Sequence, residues 1–398
     1  MKDTQLLQNG LARYRREGLE VVMATVVEVD GPAYRGPGAR LLVGSDGSTV
    51  GAISGGCLES DIREHALAIM ESGNTRLVTY DASGDEELLW GLGTGCGGLI
   101  RVFLEHWPQD LDDWLKDQTM PAAMLTVYES TEEPRIQPGY RLSLSHTGNL
   151  KEHGQAPGEW RDRLVDLLRN RIPSETSLVS QSSLATSFQL TSPANLHLLM
   201  EPIPLPVELL VVGAGFDALP LLETAHELGW HTTAIDHRPA FLAPERFPPG
   251  CRLVEAEPEV FQSDRPNEPQ APPHWLLKAN TMAVIMTHHF EHDRAWLRLL
   301  LQSEAPYVGT LGPRNRTERL LQALTEEGFT PQASMLDRLY SPVGLDLGGE
   351  TPREVALSIV AEIQAVLSGR TGGFLRERKG SIHNRHRSHQ TLAPDSDE

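Results

Sequence analysis

The pattern of hydrophobic and polar positions differs between regions of the chain. The first begins with a helical period at 5–17 and continues as short apolar runs separated by turn residues. Asp46-Gly47 joins two of these runs and is typical of a hairpin. The predicted strands are 19–29, 39–43, 49–53, 76–80 and 99–105. Residues 1–106 are therefore predicted to form an α+β domain.

The pattern changes at Leu205. An apolar strand at 207–212 leads into a glycine-rich turn, and further apolar strands are predicted at 232–235 and 282–286. Helical periods alternate with these strands, which is typical of a doubly wound parallel sheet. The predicted helices are 218–228, 293–302, 315–327 and 352–368. We predict an α/β chain in which residues 205–370 form a Rossmann-like domain.

The segment between these domains, residues 107–204, has a weaker pattern. Strands are predicted at 122–128 and 141–145 and a helix at 160–170, which together read as a sheet that extends the first domain. At the other end, residues 371–398 are charged and rich in histidine, and we predict a disordered tail.

The composition disfavours several classes of partner and location. The formal net charge of −19 disfavours nucleic acid and anionic membrane as partners. No apolar run approaches the roughly 20 residues that span a bilayer, and residues 1–6 lack a signal-peptide core. Three cysteines argue against a disulfide framework and for a reducing, cytoplasmic location. Small molecules or proteins are the expected partners.

Two cysteines, Cys57 and Cys96, are bracketed by glycines. The flanking residues are Gly55, Gly56, Gly95 and Gly97. Glycine offers a thiol no packing partner and leaves it accessible, so both cysteines are candidates to contact a ligand, a metal or a sulfur donor. The alternative is two incidental thiols in tight turns. Cys251 has no such setting and is interpreted as structural.

A second candidate site lies at the start of the Rossmann-like region. Gly213-x-Gly215-x-x-Ala218 follows a strand and opens a helix, and Asp236 ends the next strand, as in a dinucleotide fingerprint. Asp217 would repel a pyrophosphate bound there. The glycines could therefore serve packing alone.

Three more segments carry candidate ligands. His288 and its neighbours at 287–293 could face a ligand or hold a metal, although Asp293 as a helix N-cap would explain part of the pattern. Gly312 and Arg314 join a strand to a helix and could bind an anion, or form a solvated basic face. Arg35 and Arg40 lie in a Gly/Pro loop that could clamp an anion near the cysteines, or simply be a turn.

These motifs resemble the XdhC/CoxI family, the xanthine dehydrogenase accessory proteins. The resemblance is carried by residues 31–40, 51–59, 93–98, 211–215, 236–239, 286–288, 307–312 and 342–352. It implies a chaperone without turnover of its own that binds molybdenum cofactor, as molybdopterin or its dinucleotide form. The family role is to protect the cofactor during sulfuration and to insert it into an apo molybdenum hydroxylase of the xanthine dehydrogenase type.

That role fits the candidate residues. Molybdenum and its terminal sulfur are thiophilic, so Cys57 and Cys96 are candidate metal contacts, while the glycine loops and arginines suit the phosphate end of the cofactor. The thiols could instead carry a persulfide from a cysteine desulfurase-type donor or form a transient disulfide. A homo-oligomer is left open.

Two other functions are consistent with parts of the sequence. The Rossmann-like half alone would suit an NAD(P)-dependent oxidoreductase, with His288 as the candidate acid–base group. A pure scaffold would bind the target enzyme but no cofactor.

Overall fold

The computed structural model describes most of the chain, in two compact units. The described residues are 2–31, 33–81, 98–108, 111, 121–131, 133, 135–145, 148–170, 185–190, 195–203, 207–258, 280–379 and 390–392. Those of 3–173, 183–204 and 379–398 form the first unit, and residue 2 groups with those of 205–378 in the second. None of the helices in these ranges is long and apolar enough to cross a lipid bilayer.

The first unit begins with an antiparallel sheet and two helices. Its elements are α1 (Lys2–Arg16), β1 (Val21–Asp30), β2 (Arg40–Gly44), β3 (Thr49–Gly51), α2 (Glu59–Ser72), β4 (Arg76–Asp81) and β5 (Leu99–His106). The strand order is β3-β2-β1-β5-β4. Met23 pairs with Leu42 on one side of β1 and with Glu105 on the other. Helix α2 covers one face of this sheet, through Ile62, Ala66 and Ile69.

A second sheet in the same unit follows β5. Its elements are β6 (Pro121–Ser130), β7 (Arg141–Ser145), β8 (Leu150–His153), α3 (Gly158–Asn170), β9 (Thr186–Leu190) and β10 (Leu196–Pro202). Helix α3 packs Trp160 and Leu164 onto it. Val27 and Phe103 of the first sheet form a small core cluster with Tyr128 and Leu199 of the second. The segment 107–204 thus contributes a sheet of its own.

A last strand, β17 (Gln390–Leu392), pairs in parallel with β9 and gives the second sheet the order β17-β9-β10-β6-β7-β8. This strand falls in the tail that the sequence predicts to be disordered. An open edge strand offers unpaired backbone groups to any nearby segment, which composition alone does not reveal.

The second unit is a six-stranded parallel sheet with helices on both faces. Its elements are β11 (Glu208–Val212), α4 (Ala218–Glu227), β12 (His231–Asp236), β13 (Arg252–Glu255), β14 (Thr281–Ile285), α5 (Phe290–Gln302), β15 (Tyr307–Thr310), α6 (Arg314–Glu326), α7 (Ala333–Leu336), β16 (Leu339–Tyr340) and α8 (Pro352–Leu367). The order β13-β12-β11-β14-β15-β16 is that of a doubly wound nucleotide-binding sheet. The chain reverses its direction of winding between β11 and β14.

Helices α4 and α8 cover one face of this sheet, and α5 and α6 cover the other. The strands are buried on both sides, which explains their nearly continuous apolar sequence. The carboxyl ends of β11, β12, β14 and β15 carry the glycine loop, Asp236, His288 and Gly312, respectively. The predicted Rossmann-like architecture is confirmed by this topology.

Candidate functional site

The loop that carries Cys57 is anchored by Ser54. Its Oγ accepts hydrogen bonds from the amides of Gly56 (3.1 Å) and Leu58 (3.2 Å), and the Cys57 Sγ lies 3.5 Å from the same oxygen. Ser54 and Leu58 are buried, whereas Gly55 and Gly56 are exposed and Cys57 is half-buried. The loop therefore presents a thiol between open backbone groups, directly before α2.

Glu59 closes this loop from the other side. Its carboxylate accepts from the amides of Ile53 (3.2 Å) and Ser54 (2.9 Å) and from the Ser54 hydroxyl. Burial opposes ionisation of Glu59, but these hydrogen bonds outweigh it and lower the pKa of the carboxyl. The ionised Glu59 carboxylate thus fixes Ser54 by hydrogen bonds, and Ser54 fixes the cysteine turn, the segment that carries Cys57.

Tyr34 lies beside this loop. A Cβ built on Gly55 would stand 3.9 Å from the Tyr34 Cγ, and Tyr34 is 69% exposed. The Gly/Pro loop at 31–40 is therefore a neighbour of the cysteine turn, as its interpretation as a clamp requires. Gly56 has a φ of 111°, and a Cβ there would have no atom within 4 Å apart from its chain neighbours.

The two arginines of that Gly/Pro loop have different surroundings. Arg40 donates to Glu201 Oε2 at 2.7 Å, and both side chains are nearly buried. This ion pair ties β2 to β10 and occupies the guanidinium that the sequence offers as an anion clamp. Arg35 is half-buried on the loop itself. Cys96, Gly95 and Gly97 lie outside the described residues.

Gly213 brings the ends of β11 and β14 together. Its φ is 103°, and a Cβ there would lie 2.5 Å from the Met286 carbonyl oxygen. Any side chain would clash with backbone, so glycine is required for this close approach. Gly215 has a different constraint, since its Cβ would meet Asp217 Oδ1 at 2.7 Å.

Asp236 holds the glycine loop in place. One carboxylate oxygen accepts from the Ala214 amide (2.8 Å) and Arg238 Nη2 (2.9 Å), and the other from the Arg238 amide and Nε (both 2.9 Å). Burial opposes its ionisation, but the bonds from Arg238 and Ala214 lower the pKa to about 2. A ribose hydroxyl would compete with donors that the chain itself supplies.

Asp217 and His288 form a hydrogen-bonded pair at the winding reversal of the sheet. His288 Nε2 lies 2.6 Å from Asp217 Oδ2, and His288 has a φ of 61° although it is not glycine. The local sequence around His288 does not reveal this partner, because Asp217 is 71 residues away. An exposed imidazole held by a carboxylate can exchange a proton with a bound ligand.

Asp293 is not the N-cap that the sequence suggests. Helix α5 begins at Phe290, and its N-cap is His289, whose Nδ1 accepts from the His292 amide at 3.4 Å. The buried Asp293 carboxylate instead accepts from the amide of Thr287 (3.3 Å) and from Arg316 Nη2 (2.7 Å).

The same contact explains one basic residue in the first turn of α6. Arg316 pairs with Asp293, so the anion that the turn requires is supplied by the chain. Arg314 is exposed at the first position of α6, and Gly312 has a φ of 129° with the Arg316 side chain packed beside it. Arg314 is left as the candidate anion contact in this turn.

Comparisons with known proteins place these features in a family. A model of the XdhC and CoxI family matches residues 14–81, and a model of the XdhC Rossmann domain matches residues 209–363. A Bacillus subtilis (strain 168) protein described as a probable subunit of xanthine dehydrogenase is 33% identical over 345 residues, which cover 86% of this chain and 92% of that protein. The chain belongs to the XdhC and CoxI family. The family assignment made from the cysteine and glycine motifs is thus confirmed.

Two further relatives of this XdhC-type chain cover most of its length. The molybdenum cofactor insertion chaperone PaoD of Escherichia coli (strain K12) is 21% identical over 349 residues, 88% of this chain and 84% of that protein. A solved structure described as a xanthine dehydrogenase from Bacillus halodurans is 28% identical and has a TM-score of 0.68 over 96% of this chain and 98% of that one. The solved structure thus spans both units of this fold.

Proposed function

We propose that this protein is an accessory protein of a xanthine dehydrogenase-type molybdenum hydroxylase, and that its cargo is molybdenum cofactor. The observation that carries the proposal is the likeness to PaoD, a molybdenum cofactor insertion chaperone, over 88% of this chain. The probable xanthine dehydrogenase subunit from Bacillus subtilis supports the same class of partner. Protection of the cofactor during sulfuration, and sulfur supply by a cysteine desulfurase-type donor, are part of this proposal.

The cysteine turn fits such a cargo chemically. The half-buried Cys57 thiol is a soft donor suited to molybdenum or its terminal sulfur. Gly55 and Gly56 leave open backbone beside the thiol, and the exposed Tyr34 ring supplies an aromatic face for a flat pterin. These residues would hold the cofactor, and Cys96 would join them if its loop has the same role. The cofactor brings the redox-active metal, and the chain supplies binding.

The test is cofactor retention followed by transfer. Protein isolated from cells that make molybdenum cofactor is assayed for molybdenum by mass spectrometry and for pterin by fluorescence after oxidation. We expect Cys57→Ser and Cys96→Ser to retain at least tenfold less of both, and to restore correspondingly less activity to an apo hydroxylase. Cys251→Ser is the matched control, because Cys251 is also half-buried but packs beside β12 and β13. Parent-like retention in both serine variants would overturn the role of the thiols.

A second candidate function is supported by the Asp217–His288 pair. Its position at the winding reversal of a nucleotide-type sheet would suit an NAD(P)-dependent oxidoreductase with His288 as the acid–base group. This candidate requires steady-state nicotinamide turnover that His288→Ala abolishes and Cys57→Ser leaves intact. The occupied carboxylate of Asp236 disfavours it, since ribose recognition in such enzymes uses a free acid at this place.

A further inference from the structure

Three side chains that are well separated in the sequence come together at the carboxyl edge of the parallel sheet. They are His237, directly after β12, Glu257, two residues beyond β13, and His292, in the first turn of α5. One ligand atom from each lies within 4.8 Å of the others. His292 Nε2 is 3.6 Å from Glu257 Oε2, and the two imidazole rings meet edge to face with centroids 4.5 Å apart.

We propose that His237, Glu257 and His292 form a binding site for a divalent transition-metal cation of the zinc type. Two imidazole nitrogens and one carboxylate oxygen are a ligand set that zinc accepts, with a further position open to water or a ligand. Ligands at about 2.1 Å in tetrahedral geometry stand about 3.4 Å apart, close to the separation of His292 and Glu257. The separations to His237, at most 4.8 Å, would have to close to a similar value to complete the set.

The surroundings of His237 favour this assignment. Its Nδ1 lies 3.6 Å from Asp236 Oδ1, and Asp236 is itself fixed by Arg238 and Ala214. A small approach of His237 to Asp236 would form the hydrogen bond by which a carboxylate orients a metal-binding imidazole and leaves the other ring nitrogen for the metal. Asp236 therefore holds the glycine loop and lies next to the His237 ring.

The exposure of the three residues defines the type of site. Glu257 is exposed, and both histidines are half-buried. A closed structural zinc site has four protein ligands, whereas three ligands with solvent access leave the cation able to take an exogenous oxygen. The cation would connect β12, the segment after β13 and α5. None of its three residues belongs to the cysteine turn.

Zinc alone is the probe, added to metal-stripped full-length protein and followed by titration calorimetry. Thiols and the histidine-rich tail can also bind zinc, so the informative quantity is the difference in stoichiometry between variants. We expect His237→Ala, His292→Ala and Glu257→Gln each to lose one equivalent or to weaken that equivalent at least tenfold. The matched control is His231→Ala, at the opposite end of β12 and paired with Glu208 at 2.8 Å, which should bind as the parent does.

Cobalt substitution and diffraction give independent readouts. Cobalt bound here should show ligand-field bands without the thiolate charge-transfer band that cysteine ligation produces, and those bands should vanish in His292→Ala. Anomalous diffraction at the zinc edge should place a peak between the three side chains. An unchanged stoichiometry in all three variants, or a loss as large in His231→Ala, would overturn the proposal and leave an ordinary surface ion pair. Far-UV circular dichroism separates either result from unfolding.

Discussion

His288 Nε2 and Asp217 Oδ2 are 2.6 Å apart and join the loops after β14 and β11. The histidine holds a left-handed backbone, φ 61°, that side-chain-bearing residues adopt at a cost of roughly 1–2 kcal/mol. Such a conformation persists where the surrounding structure or a function requires it.

We expect His288→Gly to preserve or raise the free energy of unfolding, by up to about 1 kcal/mol, because glycine relieves the backbone and an exposed polar contact contributes little. Urea unfolding measures this change. His231→Gly is the control, since glycine within strand β12 should destabilise by about 0.5–1 kcal/mol. A larger loss in His288→Gly than in the control would show that the pair stabilises the fold.

The close approach of Gly213 to Met286 gives a second prediction. Gly213→Ala should destabilise the second unit by about 3 kcal/mol or more, because the new Cβ would lie 2.5 Å from a backbone oxygen at a positive φ. Gly250→Ala has the same sign of φ with open space around it, and should lose only about 1 kcal/mol. Thermal unfolding of both variants tests the difference, and equal losses would show that the contact has no effect.

Asp236 should make stability depend on acid pH. Its folded pKa of about 2 lies below the ordinary value of 3.8, so the carboxylate stabilises the folded state above pH 4. That stabilisation, roughly 2 kcal/mol, is lost as the pH falls from about 4 to 2. Asp236→Asn should therefore be less stable than the parent at pH 7, and the gap should narrow towards pH 2. A constant gap would show that the carboxylate charge is not the cause.

Ser54 should control the exposure of the Cys57 thiol. Ser54→Ala removes an acceptor for two amides and a donor to Glu59, so the turn should loosen and the pKa of Glu59 should rise towards its ordinary value. In a Cys96→Ser background, we expect Cys57 to react several-fold faster with a disulfide reagent, while Cys251 keeps its rate. Ser48→Ala, which removes a similar contact to Asp46, is the control. Unchanged reactivity of Cys57 would show that Ser54 does not hold the thiol.

Local sequence patterns predicted much of the fold. The apolar runs predicted the strands because the side chains of these strands are buried. Gly213-x-Gly215 predicted the turn after β11, where the close approach to Met286 requires a glycine at 213. The site contacts depend on tertiary structure. Asp217 meets His288, and His237 meets Glu257 and His292, only after the sheet brings separate strand ends together.

One missed contact did have a local signal. Asp236 precedes Arg238 by two residues, a spacing at which an aspartate side chain can accept from the backbone amide. That spacing favours an internal role for the carboxylate over a ribose contact. The position of Asp293 had no comparable signal, because its partner Arg316 belongs to the next helix.

The ion pairs between the two sheets of the first unit have a consequence for cooperativity. Arg141 meets the buried Glu105, Arg40 meets Glu201, and Arg101 reaches Glu129. A fragment that ended at residue 106 would lose Arg141 and Glu201, which pair with Glu105 and Arg40, and would expose Val27 and Phe103, which pack against the second sheet. The two sheets should therefore unfold in a single transition, and neither should be obtainable as a stable piece by cutting the chain between them.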